Sequence, residues 1–394
     1  MAEPAHELDV IVVGGGPVGA AAALGLAGAG FDVGILEKSE PRRQVGRLGF
    51  DPRTIALNPA TRELLERLGA WGRFETCPYR TVYVWEDTGT RHIEFTAEEM
   101  HREDLGAIAE VSAVLVALWE ALRETGRVRM FTDTQIDDVE PGPDRVRLAA
   151  GGRTFAARLL IAADGGQSFV RRVLGVATSR LATHHTALAT VVRTERFHEG
   201  AASQRFLAEG PLALLPLPAR DDEFFCSVVW SSLPERTREL AAKSDRDFAQ
   251  ALEAASERRL GAVLDVDQRH EFPLEQAVAE SFNPYPRVLL VGDAARVLHP
   301  LAGQGVNHGF EDVRDIVALA GRLAPGDPGA PGVWARFDAE RRLRAALMVR
   351  AMDAFRRVYA VDEPVFRWLR NTGVAMLDRN RLVKTGLVRR ALGL

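Results

Sequence analysis

The chain contains 394 residues, a length that suggests two or three domains and leaves ample room for a hydrophobic core. Hydrophobic residues make up 46% and charged residues 26%, a balance that excludes disordered, collagen-like and coiled-coil chains. The formal net charge of −4 argues against general nucleic-acid binding. The two cysteines, Cys77 and Cys226, exclude a disulfide framework and a four-thiolate zinc site, and the nine histidines show no metal-ligand spacing. We therefore expect a cytoplasmic protein without a metal site.

One segment, Val10–Phe31, is apolar and long enough to be mistaken for a membrane span. It is rich in glycine and alanine, contains Pro17, and is interrupted by three consecutive glycines. The residues before it are acidic, whereas a signal peptide begins with a basic region. We interpret the segment as part of a soluble fold.

The N-terminal pattern predicts a strand, a turn, a helix and a second strand within about 30 residues. Leu8–Val13 and Phe31–Leu36 are apolar runs typical of strands, and the alanine-rich Val18–Gly28 lies between them. This order is that of a βαβ unit, whose two strands run parallel. Further along, the spacing of apolar residues predicts helices at Arg53–Leu68 and Val111–Leu122 and buried strands at Arg158–Ala163 and Arg287–Val291.

The second half of the chain has a different pattern. Between Thr178 and Phe272, apolar stretches separated by proline, glycine and acidic turns predict a separate β-sheet. A helix is predicted at Asp312–Leu323, and a proline- and glycine-rich break follows at Ala324–Gly332. The stretch Arg336–Leu394 contains 14 Lys and Arg against 6 Asp and Glu, a net charge of +8. Its basic, amphipathic character fits either a contact with an anionic surface or partner, or a solvated helical face.

The first candidate site is the glycine-rich turn Gly14–Gly19, which follows a predicted strand and precedes a predicted helix. Glycines there allow a sharp bend and a close approach to a pyrophosphate, whose charge is attracted by the helix N-terminus. Glu37, at the end of the next strand, is placed to accept hydrogen bonds from a ribose. The pattern predicts a dinucleotide site and leaves FAD and NAD both open.

Two further predicted strands end in an aspartate. Asp164 begins an Asp-Gly-Gly sequence, and Asp293 precedes the glycine-rich segment His299–Gly309. In open α/β sheets, ligands bind at the carboxyl ends of the strands. An isolated Asp-Gly pair is equally typical of a plain turn. Three such strand ends in one chain nevertheless indicate a single shared site.

In this order the motifs resemble those of FAD-dependent aromatic hydroxylases with the para-hydroxybenzoate hydroxylase fold. Within that group the chain is similar to the ubiquinone-biosynthesis hydroxylases of the UbiH/UbiF/VisC type. The segment HPLAGQGVNHGFED, His299–Asp312, is similar to the signature of that subfamily. The resemblance extends through Asp51–Trp71, Asp104–Val111 and Gln204–Leu217. The three FAD motifs alone indicate only the superfamily.

The resemblance implies an α/β architecture with a Rossmann-like FAD-binding domain, an inserted β-sheet substrate domain and C-terminal helices. The FAD-binding domain is expected to be discontinuous and to comprise residues 1–75, 101–176 and 280–345. The mostly β-sheet substrate domain is expected at 76–100 and 177–279, and the C-terminal helical segment at 346–394.

The resemblance also implies roles for individual residues. The residues expected to bind FAD are Gly14, Gly16, Pro17, Gly19, Glu37, Lys38, Arg53, Asp164, Asp293, Gly303, Gln304, Gly305, Val306 and Asn307. The expected catalytic loop comprises His299, Pro300 and Gly303, and the expected substrate cavity is lined by Arg205, Leu214 and Pro216. A general base is expected, with His299 and His308 as candidates, although a histidine on such a loop is more often structural.

The implied reaction is hydroxylation of a polyprenyl-phenol or quinol ring in ubiquinone biosynthesis. NAD(P)H would reduce FAD, and dioxygen would then form a flavin hydroperoxide that transfers an oxygen atom to the ring. Two alternatives remain: a hydroxylase of the same fold that acts on a soluble aromatic or polyketide, and a non-catalytic flavoprotein subunit of a biosynthetic complex. Because a polyprenyl substrate is insoluble, we expect the basic C-terminal helices to contact a membrane surface or such a complex.

The sequence departs from the family pattern near the expected flavin and substrate. Arg296 stands where a histidine is frequent, His308 where an apolar residue is usual, and Ser203 where a tryptophan is frequent. These departures leave FAD binding intact as an expectation but leave the identity of the substrate open.

Overall fold

The computed structural model describes residues 5–87, 92–298 and 305–360, with side chains described for all of these except Ala182 and residues 351–360. The expected catalytic residues His299, Pro300 and Gly303 lie outside the described residues, as does Gln304. The same holds for residues 361–394 of the expected C-terminal segment.

The strands fall into three sheets. In chain order they are β1 (His6–Val13), β2 (Val33–Leu36), β3 (Thr54–Leu57), β4 (Thr76–Tyr79), β5 (Thr81–Glu86), β6 (His92–Thr96), β7 (Gly106–Glu110), β8 (Val128–Phe131), β9 (Ile136–Pro141), β10 (Val146–Ala150), β11 (Arg153–Ala162), β12 (Thr178–Thr194), β13 (Ala201–Leu207), β14 (Gly210–Pro216), β15 (Phe224–Ser232), β16 (Val263–Val266), β17 (His270–Ala279), β18 (Val288–Leu290) and β19 (Arg296–Val297).

The helices connect and cover these sheets. In chain order they are α1 (Pro17–Gly28), α2 (Pro59–Arg67), α3 (Val111–Thr125), α4 (Phe169–Val173), α5 (Pro234–Ala242), α6 (Asp245–Ala255), α7 (Gly305–Leu323) and α8 (Ala335–Ala360). Among the described residues, no helix combines the length and the apolar character that a membrane crossing requires.

The first sheet carries the Rossmann-like half of the molecule. Its order is β8-β2-β1-β11-β10-β9, and β18 pairs with the carboxyl-terminal part of β11. The strands β8, β2, β1, β11 and β18 run parallel, and their apolar side chains are buried as expected for strands covered by helices on both faces. Val13 lies beside Leu36 and Ala162, and Ala162 lies beside Leu290. The carboxyl ends of four strands therefore meet at one edge.

The second sheet is larger and mostly antiparallel. Its order is β19-β17-β12-β15-β14-β13-β5-β6, with β16 paired to β12, and its two faces have different neighbours. One face, which we call the far face, packs against α5 and α6 in a cluster that includes Trp230, Leu240 and Phe248. The other, the near face, packs against the small third sheet, β3-β7-β4, through residues such as Ile108 and Leu215.

Two predicted helix starts are corrected by the structure. The segment Arg53–Leu68 divides into strand β3 and helix α2, because Asn58 caps the helix by accepting a 2.9 Å hydrogen bond from the Thr61 amide. Helix α7 begins at Gly305 and not at Asp312.

Candidate functional site

Contact between two backbones explains the glycines of the first motif. Gly14 has a φ of +98°, and a Cβ there would lie 2.5 Å from the carbonyl oxygen of Ala163. A Cβ at Gly19 would lie only 1.9 Å from the carbonyl oxygen of Gly14. Any side chain at either position would collide with the main chain. The turn therefore brings the end of β1 into direct contact with the end of β11.

The amino end of α1 opens onto free space. Gly16, which precedes the helix, has an ordinary φ of −63°, and a Cβ there would meet no atom of the described residues within 4 Å. Pro17 is the first helical residue, and the described side chains provide no hydrogen-bonding cap and no carboxylate in the first turn. Because free amides at a helix start bind anions, this opening is suited to a phosphate or diphosphate.

Glu37 and Trp119 fix the glycine turn from the side. The Glu37 carboxylate accepts hydrogen bonds from the amides of Gly15 at 2.6 Å and of Lys38 at 2.9 Å. The indole Nε1 of the buried Trp119 donates to the carbonyl oxygen of Gly15 at 2.8 Å. Sequence reasoning missed Trp119, whose place in α3 gives only the signal of a core residue. The structure describes a backbone contact for Lys38 at this turn, and its side chain is exposed.

One carboxylate oxygen of Asp164 is buried without a hydrogen-bond donor among the described residues. Asp164 follows β11 by two residues, and its Oδ2 accepts a 3.1 Å hydrogen bond from the amide of Val170. Its Oδ1 is buried and has no hydrogen-bond partner among the described residues. Since a buried carboxylate oxygen without a partner is costly, the site is suited to a ligand that donates a hydrogen bond there.

Asp293 lies in a single 3-10 turn, Gly292–Ala294, directly after β18. The Val291 amide donates to the carbonyl oxygen of Ala162 at 3.0 Å, which places this turn beside the end of β11. The Asp293 side chain is exposed to solvent, yet nearby protein atoms desolvate it and raise its pKa, while Arg296 lowers it. Gly14, Asp164 and Asp293 thus lie at neighbouring strand ends.

A comparison with known families shows which family the chain belongs to. The family model described as "FAD binding domain" matches residues 7–352. This chain belongs to that family. It is a flavoprotein, an FAD-dependent aromatic-ring monooxygenase with the para-hydroxybenzoate hydroxylase type of fold.

Similar proteins span nearly the whole flavoprotein. The 3-demethoxyubiquinol 3-hydroxylase of Escherichia coli (strain K12) is 32% identical over 392 residues and covers 98% of each chain. The ubiquinone hydroxylase UbiL of Rhodospirillum rubrum is 30% identical, with 98% of this chain and 89% of that protein covered. The human mitochondrial ubiquinone biosynthesis monooxygenase COQ6 is also 30% identical, with 93% and 88% covered.

Solved structures show the same fold at lower identity. The p-nitrophenol 4-monooxygenase PnpA of Pseudomonas putida DLL-E4 has a TM-score of 0.77 at 21% identity, and 98% of each chain is covered. PqsL of Pseudomonas aeruginosa, in complex with 2-aminobenzoylacetate, has a TM-score of 0.73 at 22% identity, with 94% of this chain and 99% of that chain covered.

The guanidinium of Arg53 in the flavoprotein contacts two neighbouring side chains, and the Arg53 side chain is partly exposed. Its guanidinium donates to Oε1 of Gln44 at 2.8 Å and lies 3.7 Å from the carboxylate of Asp51. Asp51 is fully buried, and it also accepts from the amides of Arg53 at 2.9 Å and Ser112 at 3.1 Å. The exposed fraction of the Arg53 side chain, 41%, leaves surface for an anionic ligand.

Asn307, at the start of α7, uses its side chain for hydrogen bonds within the protein. Its Oδ1 accepts from Thr61 Oγ1 at 2.8 Å and from the Asn58 amide at 3.2 Å, while its Nδ2 donates to the carbonyl oxygen of Ala56 at 2.7 Å. The side chain is therefore used to fix α7 to α2 and β3, and the expectation that Asn307 binds FAD stays a prediction that concerns its backbone. Only its backbone remains available for a cofactor.

Gly305 and Val306 begin α7. A Cβ at Gly305 would meet no atom of the described residues within 4 Å, so no described neighbour requires a glycine there. Val306 is half-buried and packs against the core of the first sheet. The structure thus gives Val306 a packing role.

The three residues expected to line the substrate cavity lie on the far face of the second sheet. Arg205 is buried on the far face, where it donates to the carbonyl oxygen of Ala255 at 2.7 Å and pairs with Asp87 at 2.7 Å. Leu214 belongs to the far-face cluster, and Pro216 is paired with Cys226, another member of that cluster. Successive side chains along a strand alternate between the two faces, so all three residues share the face that packs on α5 and α6. Their place in a substrate cavity stays a prediction.

The near face of the second sheet lies close to the start of α7. It packs on β3, whose Ala56 carbonyl binds Asn307 at the start of α7, so this face and the α7 N-terminus are neighbours. Cross-strand pairing aligns one row of side chains on it across four strands, β5, β13, β14 and β15. The members of this row are Val84, Gln204, Ala213 and Val229. Apart from Gln204 the row is apolar, which suits a hydrophobic aromatic ligand.

Proposed function

We propose that this flavoprotein hydroxylates the aromatic ring of a polyprenyl-phenol or quinol intermediate in ubiquinone biosynthesis, with NAD(P)H as the electron donor. The observation that carries the proposal is the similarity along nearly the whole chain to three proteins named for ubiquinone hydroxylation or biosynthesis, at 30–32% identity. The near-face row of mostly apolar side chains supports a hydrophobic substrate.

The described residues fit FAD at the edge of the first sheet. The partnerless Oδ1 of Asp164 calls for a donor, and the opening at Gly16 exposes the amides of α1. We assign the diphosphate to those amides, because the helix dipole stabilises negative charge, and a ribose to Glu37. Asp293 is assigned to the hydroxyl groups of the ribityl chain. When bound, FAD supplies the two-electron chemistry that activates dioxygen for insertion into an aromatic ring.

The segments 1–75, 101–176 and 280–345 are proposed to form the FAD-binding unit, and 76–100 with 177–279 the substrate unit. In this arrangement the near face excludes water from the reaction site and orients the ring. The amides at the start of α7 would stabilise negative charge on a bound cofactor ring. The assignment of His299, Pro300 and Gly303 to the catalytic loop belongs to this proposal.

His308 is the described candidate for a general base. Its Nδ1 lies 3.6 Å from the Glu311 carboxylate, and its carbonyl oxygen accepts from Arg296 at 2.8 Å. In this role the His308 imidazole would take the proton of the phenol during the reaction. The His308 side chain is about one-quarter exposed, at 26%, so a proton can leave it for solvent.

The test measures turnover directly. The FAD-loaded protein is incubated with NADH or NADPH, ¹⁸O₂ and a short-chain prenylated phenol, and the product is analysed by mass spectrometry. A product that carries one ¹⁸O atom, and reduced-cofactor oxidation that depends on the phenol, support the proposal. Turnover of soluble phenols alone would favour the soluble-aromatic alternative. A bound flavin that no electron donor reduces would favour the non-catalytic subunit.

We also propose that the basic C-terminal stretch carries the enzyme to an anionic membrane surface. On α8, Leu343 and Leu347 are 62% and 55% exposed, one turn apart, and Arg344 lies beside them. Exposed leucines with flanking arginines are typical of helices that bind at a lipid surface. Co-sedimentation with phosphatidylglycerol vesicles, compared between the wild type and the Leu343→Ser, Leu347→Ser double variant, tests this. Equal binding of the two proteins would contradict it.

A further inference from the structure

Three buried charges meet behind the turn that presents Asp293. Asp312 of α7 is fully buried, and the side chains of Arg296 and Arg341 are only 6% and 3% exposed. Arg296 Nη1 lies 2.9 Å from Oδ2 of Asp312, and Arg341 Nε lies 2.9 Å from Oδ1. One carboxylate thus connects three separate elements, β19, α7 and α8.

The same carboxylate holds the main chain next to the flavin site. Oδ2 of Asp312 accepts a 3.1 Å hydrogen bond from the amide of Gly292. Gly292 has a φ of +55°, and Asp293 is the next residue. Arg296 also donates from Nη2 to the carbonyl oxygen of His308 at 2.8 Å. The turn that aims Asp293 and the first part of α7 are therefore fixed by the same charge cluster.

Arg341 is the member of the cluster that comes from α8. Besides Asp312 it lies 3.3 Å from Glu311 and donates to the Glu311 carbonyl oxygen at 3.0 Å, and it pairs with Asp315. Removing one partner from a buried ion pair is destabilising. Arg296 contacts both oxygens of Asp312, at 2.9 Å and 3.2 Å, and is the cationic partner that would remain. Without Arg341, Asp312 would move towards Arg296 and would release the Gly292 amide.

We infer that α8 is a positioning element of the flavin site. Arg341, acting through Asp312 and the Gly292 amide, sets the position of the Asp293 carboxylate and thereby the affinity for FAD. The inference rests on the proposed assignment of Asp293 to the cofactor. According to this inference, α8 affects the affinity for FAD although it lies behind the site.

The experiment measures FAD binding and needs no substrate. Apoprotein is titrated with FAD, and the dissociation constant is obtained from the quenching of flavin fluorescence. Arg341→Met should raise the dissociation constant by at least about tenfold, and Arg341→Lys, which retains the charge, should restore part of the affinity. The matched control is Arg336→Met on the same helix, because that side chain is 89% exposed and pairs with Glu340 at 2.7 Å. Its constant should stay within about twofold of the wild type.

A double-mutant cycle separates positioning from general stability. In an Asp293→Ala background the carboxylate is gone, so Arg341→Met should change the dissociation constant by less than about twofold. Effects that multiply in the double variant would overturn the inference, as would a folded Arg341→Met variant with a lower melting temperature and unchanged FAD affinity. If Arg341→Met does not fold, the same cycle with Arg341→Lys decides the question. Failure of hydroxylation alone would count against the proposed function and would leave this result unaffected.

Discussion

Gly16 differs from the other glycines of its turn, because nothing in the fold requires it. Its φ is ordinary and a Cβ would meet no atom of the described residues within 4 Å, whereas Gly14 and Gly19 are required by backbone contacts. Gly16→Val should therefore leave the apoprotein folded, with a melting temperature close to the wild type, and weaken FAD binding by about a hundredfold or more, by blocking the approach of the diphosphate. Fluorescence titration measures the affinity, and Gly28→Ala is the control on the same helix. A Gly16→Val protein that purifies with FAD bound would contradict the assignment.

Asp164 should show opposite effects on stability and on binding. In Asp164→Asn, Oδ1 of the amide can still accept from the Val170 amide, while the amino group replaces the carboxylate oxygen that has no partner among the described residues. The apoprotein should keep or gain up to about 1 kcal/mol of unfolding free energy, and FAD affinity should fall by about tenfold. Urea denaturation of the apoprotein and fluorescence titration measure the two quantities. A fall in both would indicate a purely structural role.

The surroundings of Asp293 predict that the stability of the apoprotein changes with pH in a defined direction. Desolvation raises the pKa of this carboxyl in the folded protein, although Arg296 opposes the shift. The folded state therefore binds the proton more tightly than the unfolded chain, and this stability is present at low pH and lost as the pH rises through the raised pKa. An asparagine at position 293 does not titrate, so the Asp293→Asn variant does not lose this stability as the pH rises. The melting temperature of the apo variant, relative to wild type, should increase between about pH 4 and about pH 8. A flat difference would show that Asp293 is not desolvated.

The sequence placed the strand-end residues correctly in the fold but could not describe what each side chain contacts. Gly14, Asp164 and Asp293 were predicted to converge because parallel strands end at one edge, and the strand register brings these ends together. The contacts of Asn307 depend on the packing of α7 against α2, which no local pattern reports. Trp119 had no signal beyond that of an inward-facing helix residue.

At the scale of elements, the residues that begin a helix fix its boundaries, which the spacing of apolar residues does not show. The residues of β3 and α2 together imitate a single helix, and the division comes from Asn58 with Pro59 after it, a cap followed by a first-turn proline. Helix α7 was predicted too short because its first turn is polar and glycine-rich. Under the proposed assignment this turn contacts the cofactor, which explains why its residues do not show the apolar spacing of a core helix.

The attachment of α7 to α2 predicts a large loss of stability on a single substitution. Asn307→Ala removes three hydrogen bonds and leaves Ala56 O and Asn58 N without this partner, so the unfolding free energy should fall by about 3 kcal/mol. Thr61→Val removes one of the three and should cost about 1 kcal/mol. Urea denaturation of the apoprotein measures both. A loss below 1 kcal/mol for Asn307→Ala would show that water replaces these bonds without penalty.

For the molecule as a whole, the second sheet separates two tasks on its two faces. The far face packs on α5 and α6 and provides stability, and the near face is turned towards the third sheet and the start of α7. Sequence reasoning identified the sheet but assigned cavity roles to far-face residues. An alternating pattern predicts which residues share a face, and only the tertiary structure shows what each face meets.

Two adjacent valines of β15 test this division. Val228 is fully buried on the far face, and Val229 is half-buried on the near face, in the row with Ala213. Val229→Phe narrows the near face, so it should raise KM for a long-chain prenylated phenol by about tenfold, and more than for a short-chain one, with FAD affinity unchanged. Val228→Ala leaves a cavity on the far face, so it should lower the unfolding free energy by about 2 kcal/mol and leave both KM values as they are. Steady-state kinetics with the two phenols and urea denaturation give the four results. If Val228→Ala changed the chain-length preference and Val229→Phe did not, the substrate would lie on the far face, and the arrangement proposed for the active site would be wrong.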